Sequence, residues 1–239
     1  DNIDPLKIYK VCDEINKKFA NKLKYSLYNR FKEIEINLSK TWPQGKGERK
    51  LAETIWKLLL YTNDKKIKKE VYKYIYSENM SLSKSVMTVF QKFECEEREK
   101  ALDVFFKRWK NNKIVLDNWF YQSASLEGKN SLKNLNVLFK HKLFDSKSPN
   151  TFRSILNGFV NNNRYFHNSD GSGYFYVAKK IVEFDKINPI TVSRFLKAFS
   201  NWKYYKDPYK NNMLSALKLI DNNKLSFNTR EIINLLLSK

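Results

Sequence analysis

Cysteine, histidine, proline and glycine are all scarce in this chain, which holds 2, 2, 5 and 6 of them in 239 residues. Cys12 and Cys95 cannot build a disulfide framework, so the fold must rest on its core. His141 and His167 stand far apart, and neither a C-x-x-C nor an H-E-x-x-H spacing occurs. No zinc site, and no cofactor site of another kind, is therefore expected in this chain. Few glycines and prolines, with 42% hydrophobic and 15% aromatic residues, exclude a disordered, collagen-like or low-complexity polymer. The longest apolar runs, such as Leu58-Leu59-Leu60 and Leu235-Leu236-Leu237, fall far below the ~18–20 residues that a bilayer span needs. The leading Asp-Asn-Ile-Asp has neither the positive flank nor the apolar stretch of a secretory signal, so a soluble chain is expected and its compartment stays open.

Basic residues, by contrast, are abundant. Lys and Arg number 45 against 25 Asp and Glu, a net charge of +20. Such a balance points towards nucleic acid or an acidic partner. The excess is positive in every successive fifty-residue stretch, however, with no basic arm, and an even spread also fits a compositional bias carried on solvated faces. Trp202-Lys203-Tyr204-Tyr205-Lys206 interleaves rings with cations as a base-stacking platform does; the same rings fit equally as edges of a core.

Apolar residues recur at helical spacing along almost the whole length. Leu51, Ile55, Leu58 and Leu59, and again Leu102, Phe105, Phe106 and Trp109, mark amphipathic helices. Only Tyr174-Phe175-Tyr176-Val177 suits a strand by propensity. Asp4-Pro5, Ser148-Pro149, Asn188-Pro189 and Asp207-Pro208 each place a capping oxygen before a proline at a helix start, and Asn228 with Glu231 has capping-box spacing. Asn- and Gly-containing breaks leave helices of roughly 12–16 residues joined by short loops. The fold expected is all-α, a superhelical solenoid of antiparallel helix pairs of ARM/HEAT type. Pro43, Gly45 and Gly47 interrupt the periodicity at 41–47, dividing a leading helical pair, 1–46, from a body, 47–239.

Little in the chain looks catalytic. Nucleophilic catalysis would need His141 or His167 as base, and neither sits in a recognisable signature. Glu94, Glu96, Glu97 and Glu99 form an acidic run, but Glu96 and Lys100 are an i, i+4 pair on a helix surface. Asp170-Gly171-Ser172-Gly173-Tyr174 lacks the length and the Lys-Ser/Thr ending of a phosphate cradle. It reads as a helix junction, with Gly171 and Gly173 free to take positive φ and Ser172 capping the helix that follows.

A set of motifs in register is more informative. Asp117-Asn118-Trp119-Phe120 with Gln122 is followed by Ser148-Pro149-Asn150 with Arg153, then by Phe166-His167 with 170–174, then by Asn188-Pro189 with Ser193-Arg194. Gly47-Glu48-Arg49-Lys50-Leu51-Ala52 and Asn79-Met80-Ser81 precede them. In order and spacing this resembles the C-terminal helical domain of aminopeptidase N, the zinc-dependent alanyl aminopeptidase family of bacterial and protozoan-parasite type. The resemblance implies a hydrolase in which a separate thermolysin-like domain binds zinc through H-E-x-x-H and a downstream Glu. The present chain, without those residues, would be silent alone. Its implied role is to cap the active-site chamber, to gate entry of short peptides and exit of amino acids, and to line part of the substrate pocket. Its implied partners are the catalytic and N-terminal domains of the same enzyme. By the same resemblance Ile190 and Arg194 face the chamber, Ile190 at a position that usually carries Met or a polar residue. A basic helical-repeat scaffold that binds an acidic partner or nucleic acid is the competing expectation.

Overall fold

Side-chain caps mark where several of the helices begin. Asp4 accepts from the Lys7 backbone N–H at 2.9 Å, Asp64 from Lys66 and Ile67 at 2.8 and 3.3 Å, Asn79 from Ser81 and Leu82, and Ser148 from Thr151 at 3.5 Å. Each side chain satisfies N–H groups that the first turn of a helix leaves without a partner. The computed structural model describes residues 2–41 and 43–238, and for Asn163 the backbone alone; Trp42, inside the 41–47 break, lies outside it.

Among the described residues the chain is helical throughout. The helices are α1 (Pro5–Lys22), α2 (Lys24–Glu35), α3 (Lys46–Leu59), α4 (Lys65–Lys73), α5 (Met80–Phe90), α6 (Glu96–Trp109), α7 (Lys113–Ala124), α8 (Ser131–Phe139), α9 (Pro149–Val160), α10 (Asn163–Phe166), α11 (Ser172–Asp185), α12 (Pro189–Phe195), α13 (Tyr209–Asp221) and α14 (Phe227–Ser238). Short 3₁₀ turns occupy Leu60–Thr62, Tyr74–Tyr76, Leu196–Phe199 and Trp202–Tyr204. Extended pairing among the described residues amounts to one bridge, Ile3 with Tyr205. The all-α expectation holds, and Tyr174-Phe175-Tyr176-Val177 lies inside α11. There Tyr174 and Val177 are buried on one helical face, so packing overrides strand propensity.

Five local expectations need correction. Asn188 precedes Pro189 at the start of α12, but its side chain makes no cap hydrogen bond. Helix α13 opens at Tyr209, one residue after Pro208, and has no side-chain cap; the Asp207–Pro208 peptide is cis. Helix α14 is capped by Ser226, whose Oγ accepts from the Thr229 N–H at 3.4 Å, and not by Asn228. Gly171 alone takes positive φ at the loop before α11, +75°, whereas Gly173 is needed for close approach, since a Cβ there would lie 2.4 Å from the Phe166 carbonyl oxygen. Ser172 is the first residue of α11 and donates its backbone N–H to Asp170 at 2.9 Å, so it is not the cap.

The chain divides into two compact units, Lys10–Gln122 and Asp1–Tyr9 with Ser123–Lys239. In Lys10–Gln122, α2 packs on α3, α3 on α5 and α5 on α6. Its core contains Phe31 and Trp56 edge-to-face at 5.6 Å, with the Tyr74 ring 4.9 Å from Trp56. Arg49 is buried and donates to the carbonyls of Lys40 and Leu38, which holds those two residues against α3. In the other unit α11 packs on α12 and α13, and α12 on α9 and α14. Phe152 and Phe184 lie 4.4 Å apart, with Phe195 5.7 Å from Phe152. Consecutive helices packed pairwise in this way are what a helical repeat requires.

Candidate functional site

The two residues singled out for the chamber, Ile190 and Arg194, lie one turn apart on α12. Their placement follows from the turn before them. Helix α11 ends at Asp185, the N–H groups of Ile187 and Asn188 return to the Phe184 carbonyl at 3.0 Å each, and Asn188 (φ −147°, ψ 69°) stands outside the α region that a following proline disfavours. Pro189 then opens α12. Thr191, Val192, Ser193 and Phe195 are buried, which turns the opposite face outward. Ile190, 60% exposed, and Arg194 share that face. The structure therefore brings an apolar and a cationic side chain together on one solvent-facing stripe, with no carboxylate or nucleophile assigned to it.

Behind that face the packing is tied down by a buried carboxylate that sequence reading missed. Asp185 accepts from the Ser226 backbone N–H at 2.6 Å, from the Ser226 hydroxyl at 2.8 Å and from the Thr229 hydroxyl. It thereby fixes the start of α14 beside the turn into α12. The Trp202 indole N–H donates to the Leu236 carbonyl at 3.2 Å near the other end of α14. Trp202 is buried and the Tyr205 ring lies 5.2 Å from His167, so in the basic aromatic run at 202–206 these two rings are core edges. Nothing in the spacing of Asp185, Ser226 and Thr229 announces the cluster; only the capping preference of Ser226 hints at it.

The histidines do not form a catalytic pair. His167 is buried, its Nδ1 2.6 Å from the Tyr174 hydroxyl. Burial pushes the imidazole from its ordinary 6.5 down to about 4 and pushes the Tyr174 phenol up, so the pair is a neutral hydrogen bond in which the phenol donates and the ring accepts. His141 lies on the loop after α8, where its Nδ1 accepts from the Leu143 N–H at 3.2 Å. Glu96 pairs with Lys100 at 2.5 Å on an exposed face, and Trp119, half-buried, donates its indole N–H to the Leu102 carbonyl at 3.1 Å. Among the described residues no group of three His, Cys, Asp or Glu side chains is placed to hold a metal ion. The described residues therefore do not fit zinc.

Comparison with known proteins gives this helical scaffold a context. The model of a family described as a domain of unknown function (DUF3458_C) with ARM repeats matches residues 1–238. The chain belongs to this ARM-repeat family. The solenoid class expected from helix spacing is thus the class of the family. Among its relatives, aminopeptidase N of Haemophilus influenzae is 25% identical over 226 residues, which is 92% of this chain and 26% of that protein. Aminopeptidase N of Caulobacter vibrioides is 31% identical over 137 residues, 56% of this chain and 16% of that protein. A crystal structure of Legionella pneumophila aminopeptidase A in complex with aspartic acid superposes with a TM-score of 0.88 at 27% identity, covering all of this chain and 29% of that one. The chain thus spans less than a third of the length of these relatives. No helix of the described residues is long and apolar enough to cross a membrane.

Proposed function

We propose that this ARM-repeat chain is the non-catalytic, C-terminal helical part of a zinc aminopeptidase, a hydrolase that removes N-terminal amino acids from short peptides. The observation that carries the reading is the match of an aminopeptidase to the entire chain at a TM-score of 0.88, joined to the lack of any metal-holding group among the described residues. Zinc and the groups that activate water belong to the part of the relatives that lies beyond the match. The scaffold contributes shape: it roofs the chamber, keeps water scarce around the metal and admits only short peptides. On this reading Ile190 and Arg194 line the substrate channel. Their shared outward face supports the assignment, because α12 would present them to a neighbouring part of the enzyme without disturbing its own packing. A β-branched Ile190 is stiff at χ1 and narrows the range of first side chains that the pocket accepts.

The test joins this chain to a zinc-binding catalytic part and assays alanyl, leucyl and arginyl chromogenic substrates. The chain alone, supplied with zinc, is expected to be silent and the joined polypeptide active. Ile190→Ala is expected to change the ranking of the substrates through KM, and Arg194→Ala to weaken peptides more than single-residue substrates. Enzyme-like hydrolysis by the chain alone would overturn the reading.

A further inference from the structure

Helix α1, at 18 residues the longest of the described helices, is also sparsely covered. Between Lys10 and Lys22 only Ala20 is buried. Its circumference carries three stripes. Asp13, Asn16 and Ala20 form the inward side, where Asp13 pairs with Lys92. Lys10, Glu14, Lys17 and Lys18 form a charged side that needs only water. The third side is apolar and exposed: Val11 at 47%, Ile15 at 47%, Phe19 at 55% and, at the step into α2, Leu23 at 38%. Residues four apart drift by ~40° per step, so these four span roughly the width of a stripe that normally faces a core. Single exposed apolar residues are ordinary, but a contiguous row on one helix marks a surface that expects cover.

The occupant follows from charge, size and context. A second copy is a poor fit, since each copy carries +20 and the stripe is bordered by Lys18 and Lys22. A separate protein is also a poor fit. The row is about 18 Å long and one side chain wide, far short of the ~800 Å² per partner of a stable complex. A surface on the same polypeptide escapes that limit, because tethering supplies a millimolar effective concentration. Such a neighbour is available: the matched region is 26% of one relative and 29% of another. We infer that the α1 face formed by Val11, Ile15, Phe19 and Leu23 is the docking surface for the zinc-binding remainder of the aminopeptidase, through an apolar patch rimmed by carboxylates that meet Lys18 and Lys22. The inference rests on the function proposed above and deepens it by locating the contact.

Cys12 supplies a native probe, being exposed and adjacent to the row. With Cys95→Ser removing the second thiol, the rate of Cys12 alkylation by N-ethylmaleimide is measured in the 239-residue chain and in the polypeptide joined to the catalytic part. At least a ~10-fold slower reaction in the joined form is expected, and equal rates overturn the inference. Phe19→Glu is expected to restore the fast rate in the joined form while leaving the melting temperature of the separate chain unchanged; protection that survives Phe19→Glu overturns it. Sedimentation of the separate chain is expected to show a monomer, and it should not pellet with phosphatidylcholine–phosphatidylglycerol vesicles. A dimer or a vesicle complex that Phe19→Glu dissolves would assign the face to a second copy or to a membrane instead. Hydrolysis of an alanyl substrate by the joined form reads the functional proposal independently: activity with an unprotected Cys12 sinks the docking surface alone, and protection without activity sinks the enzymatic reading alone.

Discussion

In Lys10–Gln122 several side-chain ties between distant elements sit near the surface beside buried ones such as Arg49, whereas in Asp1–Tyr9 with Ser123–Lys239 the ties that hold the α11–α14 region are buried. The first unit uses Lys24 with Asp64 at 2.6 Å, Lys32 with Glu70, and Arg108 with the Ile75 carbonyl at 2.7 Å. The second uses Asp185 with Ser226 and Thr229, His167 with Tyr174, and Asn162 with the Leu126 carbonyl at 3.1 Å. Water and salt weaken the first kind of tie and scarcely reach the second. A buried tie is unforgiving, because losing one partner leaves the other desolvated. The two halves of one helical scaffold should therefore respond to different perturbations, the first to core truncation and salt, the second to protons and loss of single polar atoms.

The largest expected effect tests whether apolar packing dominates where the polar ties are weak. Trp56 is fully buried against Phe31 and Tyr74, so Trp56→Ala should cost about 4 kcal/mol. Urea unfolding followed by amide exchange should place that loss in Lys10–Gln122; a loss spread evenly over both units would break the comparison.

Acid should pick out the other unit. The folded His167 stays neutral down to about pH 4, while the unfolded imidazole takes a proton near 6.5. Between those values the unfolded chain binds more protons, so stability is full above 6.5, falls as pH falls and has lost its whole contribution near 4. The size is on the order of 3 kcal/mol. His141 in the same unit is also pushed down, by burial and by Lys142. In Lys10–Gln122 the sign of the argument is the same but the window is lower. Burial raises Glu35, yet Tyr74 and Lys32 outweigh it and hold the carboxyl below 4.5, so its contribution is lost only as pH drops beneath that value. His167→Gln, which keeps an acceptor for Tyr174, should flatten the upper window and leave the lower one.

These differences track what could be read from the residues. Helix existence was legible because Leu51, Ile55 and Leu59, or Leu102 and Phe105, repeat at helical intervals, and Asp4 and Ser148 announce starts by local chemistry. The break at Leu23 carries neither glycine nor proline and was not legible, nor were the 3₁₀ turns between Leu196 and Tyr204, where the bend is imposed by burying Leu196, Phe199 and Trp202. Asn228 was the expected cap of α14; Ser226 takes that place, and its hydroxyl also donates to Asp185, some forty residues away in sequence. Of the candidate site, the position of Asn188-Pro189 was legible and the outward face was not, because exposure depends on α9, α11 and α14 together.

Asp185 also gives the next effect in size. Asp185→Asn keeps the shape but turns one acceptor atom into a donor facing Ser226 and Thr229, for a cost of about 2 kcal/mol. Amide exchange should speed up first at the start of α14. An equal change in α2 or α3 would show that the buried tie is not local to its unit.

The smallest expected effect sharpens the contrast most. Asp64 has two roles in Lys10–Gln122: it caps α4 through the N–H groups of Lys66 and Ile67, and it pairs with Lys24. The pairing with Lys24, followed by the cap, holds the Asp64 carboxyl below its ordinary 3.8. Asp64→Ala removes both roles and should cost about 1 kcal/mol, most of it the cap. Lys24→Ala removes only the half-buried pair near the surface, so its effect should be smaller and should shrink in molar salt, whereas that of Asp64→Ala should persist. Urea midpoints for both variants at low and high salt decide the matter. If Lys24→Ala kept its full effect in high salt, the pair would behave as a buried tie, and the distinction drawn between the two units would fail.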